Sequence, residues 1–267
     1  MDNRPIGVFD SGLGGLSVIK ELERVLPDEN IVYFGDTGRV PYGTKSAETI
    51  CRYAKQDVAF LLSHNVKMII AACGTVSSVA SSVTEELPVP CIEVVTPAAK
   101  AAVCATKNGK IGVLGTAATV NSCSYKNKML EINPNLKIVQ TACPLFVQLV
   151  EVGWISRNDE ITVKTAERYL REMKEIGVDT VILGCTHFPA IKDIIADVLG
   201  DGVTLINSGE QAALSAAQFL KESDMCGSLE QNQFYVSDRV QSFADIAEIL
   251  LGKDIEKETR QINIEVF

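Results

Sequence analysis

Short apolar or β-branched runs alternate with helix-length segments along the whole chain, and this alternation limits the fold more than any other feature. The runs lie at 6–10, 31–36, 68–73, 91–95, 110–116, 137–143, 180–185 and 204–208. The clearest helical segments lie at 16–26, 47–63, 76–87 and 160–176. Within 47–63 the residues Ile50, Tyr53, Ala54, Val58, Leu61 and Leu62 recur near helical period. Strands that are apolar throughout are buried on both faces, which means a parallel sheet with helices on each side. The predicted class is therefore α/β. One pattern occurs twice: 68–75 and 180–187 both read as an apolar strand, a small residue, a cysteine and a threonine within two positions. Two similar α/β domains, each with a mainly parallel sheet and each offering one cysteine to a shared cleft, account for it.

The 267 residues carry 25 Lys and Arg against 34 Asp and Glu, a net charge of −9. Such a chain lacks the cationic face that nucleic acid requires, and an anionic membrane surface is an equally poor partner. The first residues show no basic segment followed by a long apolar one, and no run of about 18 uncharged apolar residues occurs. A cytoplasmic location is expected. Eight cysteines fit a reducing compartment, where most thiols are small buried hydrophobes. None is spaced C-x-x-C and only His64 and His187 could join them, so no metal site is expected.

In open parallel sheets, ligands bind beyond the carboxyl ends of the strands. Here several strands end in a polar or reactive residue followed by small ones. Cys73 precedes a helical segment, whose N-terminal dipole favours a thiolate. Cys185 has the same setting, with Thr186 and His187 after it, and an imidazole can hold or shuttle a proton. The turn Asp10-Ser11-Gly12-Leu13-Gly14-Gly15 lets backbone N–H groups approach an anion. It is not a dinucleotide fingerprint, because Ser17 stands where the third glycine belongs. Pro41-Tyr42-Gly43, taken alone, reads as an ordinary turn. Glu151 is a carboxylate in an apolar stretch, suited to pair with a histidine if buried. Cys51, Cys91, Cys104, Cys123 and Cys226 show no such context, and Cys143, before Pro144, reads as structural. Two mirror-placed thiols suit inversion of a stereocentre. One thiolate takes the α-proton from one face while the opposing thiol delivers a proton to the other. That exchange needs no cofactor, provided that the carbanion is stabilised in a preorganised site.

Seven segments in order extend this reading. They are Gly7-Val8-Phe9-Asp10-Ser11-Gly12-Leu13-Gly14-Gly15-Leu16, Tyr33-Phe34-Gly35-Asp36-Thr37, Val40-Pro41-Tyr42-Gly43, Ala72-Cys73-Gly74-Thr75, Ile111-Gly112-Val113-Leu114-Gly115-Thr116, Ala142-Cys143-Pro144-Leu145-Phe146-Val147 with Glu151, and Leu183-Gly184-Cys185-Thr186-His187. Over nearly its whole length the chain resembles the glutamate racemases of the cofactor-independent aspartate/glutamate racemase superfamily. The resemblance implies interconversion of L- and D-glutamate, a supply of D-glutamate for peptidoglycan, no cofactor, and often a homodimer. It implies a discontinuous first domain of 1–96 plus 208–267 and a second of 97–207, with the active site between them. The terminal segment 234–267, read as strand, helix, strand, would then return to the first domain.

The same resemblance assigns roles. Cys73 and Cys185 match the two acid/base groups, Asp10 and His187 the residues assisting proton transfer at them, and Glu151 the acid near that histidine. Substrate contacts are implied at Asp10, Ser11, Pro41, Tyr42, Gly43, Gly74, Thr75, Thr116, Thr119, Thr186 and His187. Gly74 departs from the pattern, because the family usually carries Asn there. Weaker binding or a changed substrate range is expected, with water or a backbone N–H in the side chain's place. Gly74 thus leaves open a racemase of aspartate or another acidic amino acid, and a weakly active homologue with a protein-binding role. Hydrolysis by a Cys185 nucleophile with His187 would leave Cys73 without a task.

Overall fold

The computed structural model describes residues 1–85, 87–227 and 232–267. Ten strands are assigned among them: β1 Ile6–Asp10, β2 Ile31–Gly35, β3 Met68–Ala71, β4 Cys91–Glu93, β5 Lys110–Gly115, β6 Lys137–Ala142, β7 Thr180–Leu183, β8 Thr204–Asn207, β9 Gln233–Val236 and β10 Thr259–Gln261. They form a six-stranded sheet of order β10-β9-β2-β1-β3-β4 and a four-stranded sheet of order β6-β5-β7-β8. Every pairing between them is parallel. The helices are α1 Leu16–Val25, α2 Ala47–Ser63, α3 Gly74–Val79, α4 Ser81–Glu85, α5 Val95–Ala105, α6 Ala117–Ser122, α7 Ser124–Ile132, α8 Pro144–Glu151, α9 Glu160–Ile176, α10 Lys192–Leu199, α11 Ser208–Glu222 and α12 Val240–Leu251. The α/β class and the doubled sheet agree with the sequence.

Strand alternation splits each sheet into two buried faces. In the larger sheet Ile6, Val8, Ile31, Tyr33, Met68 and Ile70 pack under α1, α11 and α12. Phe9, Val32, Phe34, Ile69 and Ala71 pack under α2 on the other side. The smaller sheet sends Leu114, Val181 and Leu183 toward α8, α9 and α10, and Ile111, Val113 and Ile182 toward α5 and α7. Capping fixes several helix starts. Ser46 accepts from Thr49 N before α2, Thr116 from Thr119 N before α6, and Asp159 from Thr162 N before α9.

Most predicted strands end one or two residues early, because the reactive residue that follows already belongs to the turn. Cys73, for example, is the N-cap of α3. The predicted helix 76–87 is broken at Ala80, and residue 86 lies outside the described residues. Just before the break the Ser77 hydroxyl donates to the Ala71 carbonyl at 3.1 Å, tying α3 to the end of β3.

The chain passes from the larger sheet to the smaller between β4 and α5 and returns between β8 and α11. Both crossings are capped by side chains: Glu93 accepts from Thr96 N at 2.8 Å, and Asn207 from Gly209 N at 3.0 Å. After α11 the chain reaches β9, and α12 and β10 complete the larger sheet, as read for 234–267. A buried ion pair pins this return. Lys67 Nζ, fully buried, lies 2.6 Å from Glu29 Oε2 and donates to the carbonyls of Asp2 and Met225 at 2.8 Å each. The other Glu29 oxygen accepts from Gly227 N at 2.7 Å.

Candidate active site

All the strands of a parallel sheet end on one edge, so their turns gather there. The turns of the two sheets face each other across a cavity of about 30 Å3. From the larger sheet it is lined by Ser11 after β1, by 40–43 after β2 and by Cys73, Gly74 and Thr75 after β3. From the smaller sheet come Thr116 after β5, Val147 and Glu151 on α8, and Cys185, Thr186 and His187 after β7. Of the residues singled out in the sequence, only Asp10 and Thr119 stand behind this wall. Asp10 Oδ2 accepts from Gly12 N at 3.0 Å and Oδ1 from the Thr186 hydroxyl at 3.3 Å. Thr119 accepts a hydrogen bond from the Thr116 hydroxyl at 3.1 Å.

The two thiols are buried and differently served. Cys73 Sγ donates to the Ser11 hydroxyl at 3.6 Å. Its thiol is pushed up to about 12, first by burial and then by the Asp10 carboxylate. The start of α3 acts in the direction expected, its Val76 N–H favouring the thiolate, but burial outweighs it. Burial also raises Asp10 above its ordinary value, against the pull of His187. Cys185 Sγ lies 3.6 Å from His187 Nδ1, and His187 Nε2 lies 3.1 Å from Glu151 Oε1. Burial opposes charge on His187, yet the hydrogen bonds to Cys185 and Glu151 prevail and raise it to about 10. A protonated imidazole then donates from both nitrogens, one to sulfur and one to carboxylate.

Hydroxyls crowd the rest of the wall. The Thr75 and Thr116 hydroxyls lie 3.0 Å apart, across the two sheets. Tyr42 turns its own hydroxyl away from the cavity, donating to Asp36 and to Asp57 Oδ2, the latter at 3.1 Å. What Tyr42 offers the cavity is backbone. Arg39 closes this buried cluster, with Nε 2.6 Å from Asp36 Oδ2 and a terminal nitrogen 3.4 Å from Asp57 Oδ1. The Ser237 hydroxyl donates to Asp36 Oδ1 at 2.7 Å. The loop 40–43 is thus held from beneath by groups that the sequence reading passed over. Asp57 was detectable: it lies on the apolar face of α2 with Ala54, Val58 and Leu61. Val40 and Val147, which also line the cavity, carried no signal beyond their neighbours Pro41 and Phe146.

At Gly74 the opposite sheet's turn comes close: an added Cβ would stand 2.2 Å from the Gly184 carbonyl oxygen. Cys143 is fully buried with Phe146 in the core beneath α8, consistent with a structural reading.

Residues 6–216 match the Asp/Glu/Hydantoin racemase family. The chain belongs to that family. It is 40% identical over 253 residues to the glutamate racemase of Geobacter metallireducens, covering 93% of each chain. It is 43% identical over 255 residues to that of Syntrophus aciditrophicus, covering 94% of each. The fold superposes on a glutamate racemase from Bacillus anthracis with a TM-score of 0.93, at 35% identity and covering 98% of both chains. A glutamate racemase from Francisella tularensis, solved with D-glutamate, gives 0.92 at 36% identity over the full length of both. An aspartate racemase from Picrophilus torridus, at 19% identity and a TM-score of 0.60, shares the fold. This family member is an amino-acid racemase with a small-molecule substrate, and no helix among its described residues is long and apolar enough to cross a membrane.

Proposed function

We propose that the chain interconverts L- and D-glutamate without a cofactor, using Cys73 and Cys185 as the two acid/base groups. One observation carries this reading: two buried thiols line one small cavity, Cys73 bonded to the Ser11 hydroxyl and within the field of the Asp10 carboxylate, and Cys185 beside the His187–Glu151 pair. One thiolate takes the α-proton and becomes a thiol. The opposing thiol gives its proton to the other face of the carbanion and becomes a thiolate, which leaves the enzyme ready for the reverse reaction. Ser11, Thr75, Thr116 and Thr186 supply hydroxyls, and Pro41, Tyr42, Gly43 and Gly74 supply backbone, to hold the carboxylates and ammonium group. Thr119 orients Thr116. This buried, donor-rich wall is what carbanion formation demands. The domain division 1–96 with 208–267, and 97–207, follows the two sheets. Assembly as a homodimer, a cytoplasmic location and use of D-glutamate in the bacterial cell wall complete the proposal, on the strength of the resemblance.

Incubation with L-glutamate in D2O, with no added cofactor or metal, tests it. Loss of optical rotation with α-deuteration is the expected result. No exchange with glutamate would overturn the proposal, and exchange with aspartate alone would reassign the substrate.

His187 supplies a pH test. Its raised value means that the imidazolium persists from neutrality until the pH climbs through about 10. We expect kcat/KM to fall on that alkaline limb. His187→Gln should remove the limb and lower kcat by roughly 10²-fold, the smaller end of general acid–base effects. A limb unchanged in His187→Gln would refute this role.

A further inference from the structure

The Tyr42 oxygen stands between two buried carboxyl groups, bonded to Asp36 Oδ2 and 3.1 Å from Asp57 Oδ2. A phenol carries one hydrogen, which serves one of the two. The donors around the pair decide which. Asp36 also takes the Arg39 Nε–H at 2.6 Å and the Ser237 hydroxyl at 2.7 Å. With the Tyr42 hydrogen it has three close donors, the setting of an ionised carboxylate. Asp57 has one terminal nitrogen of Arg39, at 3.4 Å. The other terminal nitrogen of Arg39 donates to Gln56 at 2.6 Å and to Glu265 at 3.3 Å. Tyr42 aside, nothing else among the described residues donates to the Asp57 carboxyl.

Asp57 is also the worse placed of the two to carry charge. It has no solvent exposure and shares the apolar face of α2 with Ala54, Val58 and Leu61. Arg39 faces both carboxyls, and Asp36 alone balances it, so an ionised Asp57 would leave an uncompensated buried anion. The other charged groups near it are Asp10 on β1, of the wrong sign, and the exposed Glu265 beyond Arg39. Burial, and then the Asp36 charge, hold the Asp57 carboxyl well above the ordinary range. A hydrogen on Asp57 Oδ2 meets both requirements. It spans the 3.1 Å to the Tyr42 oxygen, whose own hydrogen is committed to Asp36, and it leaves the buried cluster neutral.

We infer that Asp57 is a positioning residue that works as a neutral carboxylic acid: it donates to the Tyr42 oxygen, Tyr42 in turn donates to Asp36, and this relay fixes the backbone of 41–43 against which an acidic amino acid is held. Gly43 follows directly and packs so closely on the opposite sheet that an added Cβ would stand 2.7 Å from Thr116 Cβ. A displaced Tyr42 therefore moves the cavity wall itself. The substrate in this inference rests on the racemase reading, whereas the proton on Asp57 does not, so the two can fail separately.

Two measurements on Asp57→Asn and Asp57→Leu test it. The first is the infrared difference spectrum between the native protein and Asp57→Asn at neutral pH. The expected result is loss of the C=O stretch of a protonated carboxyl, a band that shifts in D2O. Loss of ionised carboxylate bands instead would overturn the inference, whether or not the protein turns glutamate over. The second is steady-state racemisation. Asn has the shape of a neutral Asp, with an N–H for Tyr42 and an oxygen for Arg39, whereas Leu fills the space and donates nothing. Asp57→Leu should raise KM for glutamate about tenfold with little change in kcat, below the roughly 10²-fold that a 1 Å misplacement can cost. Asp57→Asn should restore most of that loss. An Asn variant as impaired as Leu, or a Leu variant with native KM, would refute the positioning role. Should Asp57→Leu not fold, the infrared band and the KM of Asp57→Asn decide. A native protein that leaves glutamate unchanged would remove the racemase reading and the positioning role with it, while the infrared band still reports the proton.

Discussion

Replacing either Cys73 or Cys185 by alanine should lower racemisation by roughly 10²–10⁴-fold in both directions, the range lost with a general acid or base. The symmetry of the loss is the informative part. A two-base exchange needs one group to remove the proton and the other to return one, so each alanine variant is impaired in both senses. Partial reactions should differ. Each variant keeps one thiol on one face and can still exchange the α-proton of the enantiomer that presents its hydrogen there. A nucleophilic mechanism through Cys185 and His187 would spare Cys73→Ala. Rates with each enantiomer, with α-deuterium incorporation followed by NMR, decide between them. Both side chains are small and buried, so the folded fraction of each variant should be checked by thermal melting.

Arg39→Ala should be the most damaging change away from the cavity wall. The Asp36 and Asp57 side chains have no solvent exposure, and that of Arg39 only 12%. Removing the cation leaves Asp36 and Asp57 buried beside each other and the Tyr42 hydroxyl with no positive partner. Breaking a buried ion pair from one side costs about 3–5 kcal/mol. At about 2–4 °C per kcal/mol for a chain near this size, Tm should fall by roughly 6–20 °C. The loss should be smaller in mild acid. Burial, and then the Asp36 charge, already hold Asp57 well above the ordinary carboxylate range. The folded state therefore binds that proton more readily than the unfolded chain, and stability rises as the pH falls. The loop 40–43 rests on this cluster, so KM should rise as well. An Arg39→Ala variant melting within a degree of the parent at neutral pH would show that the cluster holds nothing.

The class of fold and the edge that carries the chemistry were legible because both follow from local patterns. Continuous apolar runs marked buried parallel strands, and the doubled strand–cysteine–threonine pattern marked two sheets meeting at their carboxyl ends. Contacts made by the third dimension were not legible. The break at Ala80 in the helix after Cys73 is not something periodicity encodes. At the Cys73 thiol the local pull of the helix start was legible, while the opposing burial beside Asp10 was not. Gly74 was noticed as a missing side chain, but the close approach of the Gly184 backbone, more than a hundred residues away in sequence, was not. The Arg39 cluster joins residues far apart in sequence, and of its members only Asp57, on the apolar face of α2, stands out alone.

The order of strands in the larger sheet also has a consequence during synthesis. β2 lies between β1 and β9, and β9 is made about 200 residues after it. At roughly 5–20 residues per second on the ribosome, the outer edge of β2 waits some tens of seconds for its neighbour. The smaller sheet, contiguous in sequence, can close in that interval, while the first half remains a four-stranded sheet with a bare hydrophobic rim. A nascent chain stalled before residue 233 therefore presents the kind of open edge that other strands capture. For this protein the vulnerable moment lies late in translation, when most of the polypeptide already exists and the last two strands do not.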